Sequence, residues 1–328
     1  MLCYQDSWQC TVHLSAYVLT FLFFLPLYLI FLYTIFKYRR EPVFSSAFYY
    51  FVFVCGVSDL LYTANYYLLM YPAFLNIPSL NRFYLSSSAL FSSTNYYAFV
   101  YLRSCQTIAV LLISLTRFTC LVWPLRHDQI WTRKAIYICT AFLIIFPVVL
   151  LSPAIRNGCY VRYIPEQNRT DKSVAQRDAI GGGCKPVTVV YLVFPTVVVI
   201  LLALLYPIML IKNCMYKPPA SADASWVVSQ QEAQKRKTNL SLTVGGLMLS
   251  VSMGLMCFFW WVFIISSRFT NVRGQLVAMA FDGFFSLSNP LVLLLFGSKM
   301  RAYFWKCLKA TFCCPAAQQP PVGSFQRP

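Results

Sequence analysis

Seven long apolar stretches dominate this chain of 328 residues and constrain its fold more than any other feature. A helix needs about 20 mostly apolar residues to cross a hydrocarbon layer about 30 Å thick. Each stretch is close to that length and ends near prolines or basic residues. The pattern predicts an all-α membrane protein, a bundle of seven transmembrane helices over residues 12–36, 46–70, 94–122, 135–151, 187–211, 240–266 and 275–296.

The composition leaves little room for a soluble domain. Hydrophobic residues make up 59% of the sequence and charged residues 11%, whereas soluble proteins carry roughly a quarter charged residues. The net charge of +17 lies in short clusters between the apolar stretches, which is typical of loops that flank a membrane. We therefore expect a lipid bilayer as the partner of these clusters, and no nucleic acid.

The basic residues also orient the bundle. No lysine or arginine precedes the first stretch, whereas clusters occur at 37–40, 126–134 and 235–237. Basic loops stay in the cytosol, so we expect a plasma-membrane protein with its N-terminus outside and its C-terminus in the cytosol. The expected parts are an extracellular N-terminus at 1–11, the seven-transmembrane bundle at 12–297, an amphipathic juxtamembrane helix at 298–314 and a disordered cytosolic tail at 315–328.

The loop over residues 156–185 carries the signals of an outer face. Asn168-Arg169-Thr170 is an acceptor sequence for N-glycosylation, which occurs only on the luminal side. Cysteines on that side can form disulfides. The four cysteines expected on that side are Cys3, Cys10, Cys159 and Cys184. They allow three pairings, and the sequence does not choose among these pairings.

The third stretch ends in Thr116-Arg117-Phe118, followed by Pro124-Leu125. An arginine at the inner end of a helix can exchange between partners inside the bundle and an incoming protein. The plainer interpretation is that Arg117 is an ordinary basic residue that anchors the cytosolic end of the helix, as the positive-inside rule expects.

Taken with Asp59 in the second stretch and Asn289-Pro290 in the seventh, this motif resembles the signature of rhodopsin-like receptors. The run from Trp123 to Trp131 is similar to that of the nematode serpentine chemoreceptors, in the gamma superfamily, class gamma or class V. The resemblance implies a G-protein-coupled chemosensory receptor with a small-molecule ligand and a heterotrimeric G protein. The signalling residues it implies are Arg117, Asp59, Asn289 and Pro290.

Three departures from the rhodopsin-like pattern carry consequences. Thr116 replaces an acidic residue, Leu293 replaces a tyrosine, and no cysteine begins the third helix. Without an acidic neighbour, Arg117 should be held less firmly, which predicts raised basal signalling. The resemblance also implies a sodium ion near Asp59, and the alternative is an aspartate that only packs or hydrogen-bonds. No other cofactor and no metal centre are expected.

Ionisable residues inside a bilayer are costly and point to function. Arg103 precedes Arg117 by 14 residues, about 21 Å along a helix. Asp282 precedes Lys299 by 17 residues, about 25 Å. Arg103 and Asp282 therefore lie at a similar depth, which predicts an ion pair or a shared anionic or polar ligand at the floor of an outer pocket. The alternative is that helix three starts late and Arg103 only marks its outer rim. The predicted ligand-binding residues are Arg103, Gln106, Asp282, Tyr96, Tyr97, Trp260, Trp261 and Phe285.

The pattern of residues 298–314 predicts an amphipathic helix on the membrane surface. Its basic residues should face lipid phosphates while Phe304, Trp305 and Leu308 insert. Its cysteines are placed for S-palmitoylation, or alternatively stay unmodified: Cys307, Cys313 and Cys314.

Other functions fit the sequence less well. A transporter or channel subunit is the alternative, but a transporter would more often show internal repeats and broken helices at matching positions. With two histidines in the chain, no catalytic residue and no enzyme activity are expected. A dimer is left open.

Overall fold

The computed structural model describes most of the apolar chain. The described residues are 15, 19–42, 44–70, 83, 89–156, 160–165, 174–179, 185–215, 226–265, 283, 285–287 and 289–312. Several predictions lie outside these residues, namely those on Cys3, Cys10, Cys159, Cys184, Asn168, Asp282, Cys313 and Cys314.

The helices follow one another in the predicted order. A π-helical segment, Leu19–Phe24, leads into the first helix, another, Asn65–Met70, continues the second, and a single turn, His127–Ile130, separates the third from the fourth. The bounds are α1 Leu25–Lys37, α2 Ala47–Ala64, α3 Ala89–Val122, α4 Arg133–Arg156, α5 Lys185–Met215, α6 Trp226–Ile265, α7 Phe285–Phe296 and α8 Ser298–Phe312.

Among the described residues, five helices are long and apolar enough to cross a membrane. Their apolar spans are Ala47–Leu69, Ser93–Val122, Arg133–Pro153, Leu192–Asn213 and Leu240–Val262. Two shorter apolar helices take the first and seventh places, Leu22–Lys37 and Phe285–Phe296. All seven coincide with the predicted stretches, so the seven-helix bundle is confirmed. A helix bonds its own backbone groups, which is what a hydrocarbon layer requires.

Helix α6 and the loop between α4 and α5 differ from the predicted outline. Helix α6 begins at Trp226, well before the apolar stretch at 240. Residues 226–239 are helical because they include good helix formers such as Gln, Glu, Ala and Lys. The loop between α4 and α5 contains two antiparallel strands, β1 Tyr160–Pro165 and β2 Val174–Ala179. The β-branched and aromatic residues of β1 favour a strand, and this strand lies against α3.

Helix α3 is the centre of the packing. It contacts α2, α4, α5 and α6, and 61% of its apolar span is buried. Only 17% of the α4 span is buried, so α4 lies at the periphery and faces lipid. The candidate functional residues on α3 are therefore surrounded by other helices.

Helix α4 contains two prolines, each of which leaves a carbonyl without its usual N–H partner one turn earlier. Pro147 frees the carbonyl of Leu143, which accepts from Sγ of Cys105 on α3 at 3.6 Å. Pro153 frees the carbonyl of Val149, which accepts from the Ser152 hydroxyl at 2.8 Å. The helix stays continuous because side chains bond both carbonyls.

Helix α8 packs against α1 and differs in part from the predicted amphipathic helix. Its basic residues are exposed, as expected: Lys299, Arg301, Lys306 and Lys309. Phe304 is 4% exposed and belongs to the core, so the prediction that it inserts into lipid is wrong, whereas Trp305 is 52% exposed. Cys307 is 0% exposed. Its palmitoylation stays a prediction, and it would require α8 to move so that Sγ becomes accessible.

The burial of Phe304 predicts that Phe304→Ala destabilises the protein by about 3–5 kcal/mol, the usual cost of truncating a core phenylalanine. Trp305→Ala is the matched control and should cost less, because half of that ring is already exposed. Thermal unfolding of the purified protein, followed by circular dichroism, measures both. Equal losses in the two variants would contradict the packing of Phe304.

Candidate functional site

Asp59 joins three helices in the middle of the bundle. It lies on α2 with 0% exposure. Its Oδ2 accepts hydrogen bonds from the hydroxyl of Tyr28 on α1 and from Nδ2 of Asn289 on α7, the latter at 2.5 Å. Cys55 Sγ lies 3.8 Å from the same oxygen. One carboxylate therefore fixes α1, α2 and α7 against one another.

The same cluster has unused acceptors. Asp59 Oδ1 and Asn289 Oδ1 are buried and have no hydrogen-bond partner among the described residues. Carboxylate and amide oxygens are the ligands that hard cations such as sodium prefer, so the donor set fits the expected ion. The described residues contain no group of three or more His, Cys, Asp or Glu side chains that could hold a metal ion. A sodium ion near Asp59 stays a prediction.

Arg103 lies in a polar cluster on the N-terminal half of α3 and is 0% exposed. Its Nη1 donates to Oε1 of Gln106 at 2.8 Å, and its Nη2 donates to Sδ of Met256 on α6. Gln106 in turn donates from Nε2 to the hydroxyl of Ser286 on α7 at 3.2 Å. The alternative that Arg103 marks the outer rim is wrong, because α3 begins at Ala89 and other helices enclose the guanidinium.

Aromatic rings surround the Arg103 guanidinium. Its central carbon lies 4.5 Å from the ring centroid of Phe285 and 5.3 Å from that of Tyr62. Tyr62 packs on Phe99 with centroids 5.4 Å apart, and Phe99 on Trp260 at 6.5 Å. Predicted residues Gln106, Phe285 and Trp260 thus reach the cluster around Arg103, directly or through Phe99.

The other predicted ligand-binding residues on α3 and α6 have contacts of their own. Tyr96 and Tyr97 contact each other with centroids 6.0 Å apart, and both are half-buried near the start of α3. Trp261 Nε1 donates to the Thr196 hydroxyl at 2.9 Å, so Trp261 bonds to α5. The ion pair between Arg103 and Asp282 stays a prediction, since Asp282 lies outside the described residues.

Arg117 lies near the other end of α3, with an aromatic ring as its contact. Its guanidinium carbon is 3.4 Å from the centroid of Phe48 on α2. The Thr116 hydroxyl donates to the carbonyl of Ile113 at 2.7 Å and thus bonds within α3. In the described part of the chain no carboxylate pairs with Arg117. A cation–π contact takes the place of an ion pair.

Tyr206 of α5 connects three helices beside Arg117. Its hydroxyl lies 2.9 Å from that of Ser114 on α3. A Cβ atom at position 246 of α6 would collide with the Tyr206 hydroxyl, so Gly246 is required for this close approach. The tyrosine therefore couples α3, α5 and α6.

A narrow cavity connects the Asp59 cluster with Arg117. Its lining includes Tyr28, Cys55 and Asn289 at one end and Phe48, Arg117 and Tyr206 at the other. This cavity extends from the Asp59 cluster toward Arg117, and Arg103 does not line it. Leu293, which replaces the tyrosine of the rhodopsin-like pattern, also lines it.

A hydrogen-bonded cluster holds the segment after α3 against the bundle. Trp131 Nε1 donates to Oγ1 of Thr119 at 2.7 Å, and Nδ1 of His127 lies 3.0 Å from the same oxygen. The Trp131 ring also packs against Phe51 of α2 with centroids 5.6 Å apart. Burial lowers the pKa of His127 below its ordinary value near 6.5; Asp128 opposes this shift and Arg117 adds to it.

Sequence reasoning missed several members of these clusters, in particular Tyr28, Phe48, Tyr206 and Thr119. The chain has 22 tyrosines and 28 phenylalanines, and most are ordinary packing residues, so Tyr28, Phe48 and Tyr206 do not stand out. Thr119 is one of several threonines in the apolar helices and gives no signal of its own. Gly246 is the one useful signal, because a glycine inside a helix often allows a close approach.

The shared acceptor at Asp59 predicts that Asp59→Ala destabilises the bundle. The hydroxyl of Tyr28 and Nδ2 of Asn289 would lose their acceptor, at a cost of about 1–3 kcal/mol each. Asp59→Asn keeps an acceptor oxygen and should cost less. Ser58→Ala is the control, since the Ser58 hydroxyl donates to the carbonyl of Val54 within α2. If thermal unfolding shows Asp59→Ala to be as stable as Ser58→Ala, Asp59 is not the shared acceptor.

The lowered pKa of His127 predicts a loss of stability in acid. The unfolded chain takes up a proton near pH 6.5 while the folded chain resists it, so His127 contributes stability above that pH. This contribution is lost as the pH falls through the folded pKa. Melting temperatures of wild type and His127→Gln, compared from pH 7.5 to about 5, should fall more steeply for wild type. If the melting temperatures of the two proteins fall in parallel with pH, the lowered pKa of His127 is contradicted.

Comparison with known proteins places the whole bundle in one family. No curated protein matches the chain. A family model described as the serpentine type 7TM GPCR chemoreceptor Srv matches residues 17–310. This match runs from the first apolar helix through most of α8 and confirms the resemblance to the nematode serpentine chemoreceptors. The chain belongs to the Srv family of serpentine seven-transmembrane chemoreceptors.

Proposed function

We propose that this chemoreceptor binds a small molecule in the outer half of the bundle, around Arg103, and signals to a heterotrimeric G protein at the inner end, around Arg117. The N-terminus lies outside the cell and the C-terminus in the cytosol of a plasma membrane. The observation that carries the proposal is the position of both arginines on one central helix. Their 14-residue separation corresponds to about 21 Å.

The cluster around Arg103 has the properties of a binding floor. A buried cation with aromatic rings and amide groups suits a small ligand that carries a negative or polar group. Because Arg103 bonds to α6 and, through Gln106, to α7, a ligand that competes for these bonds would change how α6 and α7 sit against α3. This gives the ligand a differential affinity for two arrangements of the bundle, which is what a signalling ligand needs.

The inner end contains contacts that can be exchanged. Arg117 rests on Phe48, and a cation–π contact contributes about 0.5–2 kcal/mol. Less free energy is needed to release Arg117 from such a ring than from a buried ion pair. Tyr206, Ser114 and Gly246 hold α5 and α6 close to α3 in this arrangement. A shift of α6 would break these contacts together and expose Arg117 to a cytosolic partner.

A sodium ion near Asp59 forms part of the proposal. It would bind Asp59 Oδ1 and Asn289 Oδ1, the two buried acceptors without described partners. The alternative function, a transporter or channel subunit, is less consistent with α4 and α5, which stay continuous across their internal prolines. Transporters with midplane sites more often have broken helices.

The experiment that tests the proposal is a calcium or cAMP response screen of cells expressing the chain against small volatile and water-soluble metabolites. For any active compound, Arg117→Ala should weaken the response by about 5–150-fold, the usual range of coupling between two sites. Arg156→Ala is the matched control and should respond like wild type. Arg156 is an exposed arginine at the last residue of α4, far from Arg117 along the bundle.

A second arm of this experiment measures signalling without ligand. Thr116→Asp supplies the missing acidic neighbour of Arg117, so ligand-free signalling should fall below that of wild type. Surface expression of each variant is measured in parallel. A full response from Arg117→Ala at normal surface expression would overturn the receptor proposal, and unchanged basal signalling in Thr116→Asp would contradict the loose restraint of Arg117.

A further inference from the structure

Four exposed cations meet where the end of α1 contacts α8. Lys37 ends α1, Arg39 and Arg40 lie in the turn that follows it, and Lys306 comes from α8. We call these four residues the α1–α8 basic cluster. None of them takes part in the polar clusters around Asp59, Arg103 or Arg117, so the proposed signalling function does not account for them.

Aromatic rings fix the positions of the cluster. The Nζ atoms of Lys37 and Lys306 each lie 5.8 Å from the centroid of the Tyr38 ring. The two ammonium groups are therefore no farther apart than twice that distance, although their residues are remote in sequence. Tyr38 packs on Tyr303 of α8 with centroids 4.8 Å apart, and Tyr303 packs on Phe44 at 5.1 Å. The packing of α8 on α1 thus brings the charges together.

The cluster lacks anions of its own. In the described part of the chain no carboxylate pairs with Lys37, Arg39 or Lys306, and Glu41 is the one acidic residue in the adjoining turn. Like charges held this close repel one another unless anions neutralise them. Further exposed cations continue along α8, at Lys299, Arg301 and Lys309. The arrangement favours a ligand with several negative charges.

Exposed rings beside the cations show the depth at which this ligand would lie. The Arg39 guanidinium carbon is 4.2 Å from the centroid of Phe36, and Lys37 Nζ is 5.5 Å from that of Tyr33. Phe36 is 51% exposed and Tyr33 50%. Aromatic rings and basic residues occur together at the boundary between hydrocarbon and headgroups. An anion that binds there is most simply part of a lipid.

We propose that the α1–α8 basic cluster binds the headgroup of a polyanionic phospholipid, a phosphatidylinositol with additional phosphates. One headgroup of this kind can bridge Lys37 and Lys306, with Arg39 and Arg40 beside it. Clusters of Lys and Arg at the cytosolic end of a membrane helix bind such lipids. The inference rests on the orientation in the proposed function, because these lipids lie in the cytosolic leaflet, but it requires neither the small-molecule ligand nor the G protein.

The test measures lipid binding by the purified full chain. The protein is reconstituted in phosphatidylcholine vesicles that contain a small fraction of fluorescent phosphatidylinositol bisphosphate, and energy transfer from the protein's tryptophans or an attached dye reports binding. The double variant Lys37→Gln/Lys306→Gln should bind at least about tenfold more weakly, since each lysine near a membrane contributes about 1 kcal/mol. Lys37→Arg/Lys306→Arg keeps both charges and should bind within about threefold of wild type.

The matched control removes the same charge elsewhere on the same side. Arg133→Gln/Lys134→Gln changes two exposed cations at the start of α4 and should leave binding nearly unchanged. Equal losses in the two Gln pairs would overturn the site and leave only a general attraction of a basic surface. Unchanged binding in Lys37→Gln/Lys306→Gln would overturn it outright. Circular dichroism and thermal unfolding confirm that each variant is folded.

A competition arm separates a lipid from a free phosphate compound. Inositol trisphosphate carries the same phosphates without acyl chains, and it should displace the fluorescent lipid only weakly because exposed rings such as Phe36 would contact acyl chains. Displacement at equal concentrations would overturn the lipid assignment. Each of these outcomes is independent of the metabolite screen, so loss of the lipid site and loss of the receptor function would be observed separately.

Discussion

The cost of enclosing polar groups in an apolar bundle controls this structure. A buried polar side chain destabilises a protein unless it is hydrogen-bonded, and a buried charge costs more. Among the described residues, such side chains cluster around Arg103, Asp59 and Arg117, and in each cluster a bond or ring contact crosses from one helix to another. Apolar helices in lipid have little hydrophobic reason to choose one neighbour over another. These polar contacts therefore specify which helices pack together.

Helix α3 carries both Arg103 and Arg117, and the cavity connects Arg117 with the Asp59 cluster. The partners of α3 around Arg103 are Met256 and Phe285, and around Arg117 they are Phe48 and Tyr206. A change in the position of α6 alters contacts at both ends. The rhodopsin-like pattern uses an acidic residue beside the arginine, whereas here an aromatic ring of α2 contacts Arg117. The two solutions hold the same residue by different physical interactions.

Hydropathy was sufficient to predict the seven helices, because length and apolar character alone decide whether a segment can span a membrane. It could not predict side-chain partners. Asp59 and Asn289 were recognised by their position in motifs, but Tyr28, which completes their cluster, is one of many tyrosines. Amphipathic patterning placed Phe304 in lipid because it cannot distinguish a lipid surface from the apolar surface of α1. Depth alone groups Trp260 with Trp261, and it could not predict that Trp261 donates to Thr196 of α5, because adjacent residues on a helix point in different directions.

Pro147 has a consequence for the rotation of α4 about its own axis. Most of this helix faces lipid, and an apolar cylinder in an apolar solvent could turn with little change in free energy. The proline removes one backbone donor, however, and the carbonyl of Leu143 then needs a partner outside the helix. Cys105 supplies it from α3. Together with the hydrogen bond from the Thr140 hydroxyl to Tyr50 of α2 and that from the Tyr101 hydroxyl to the carbonyl of Ile144, this bond gives α4 a preferred azimuth.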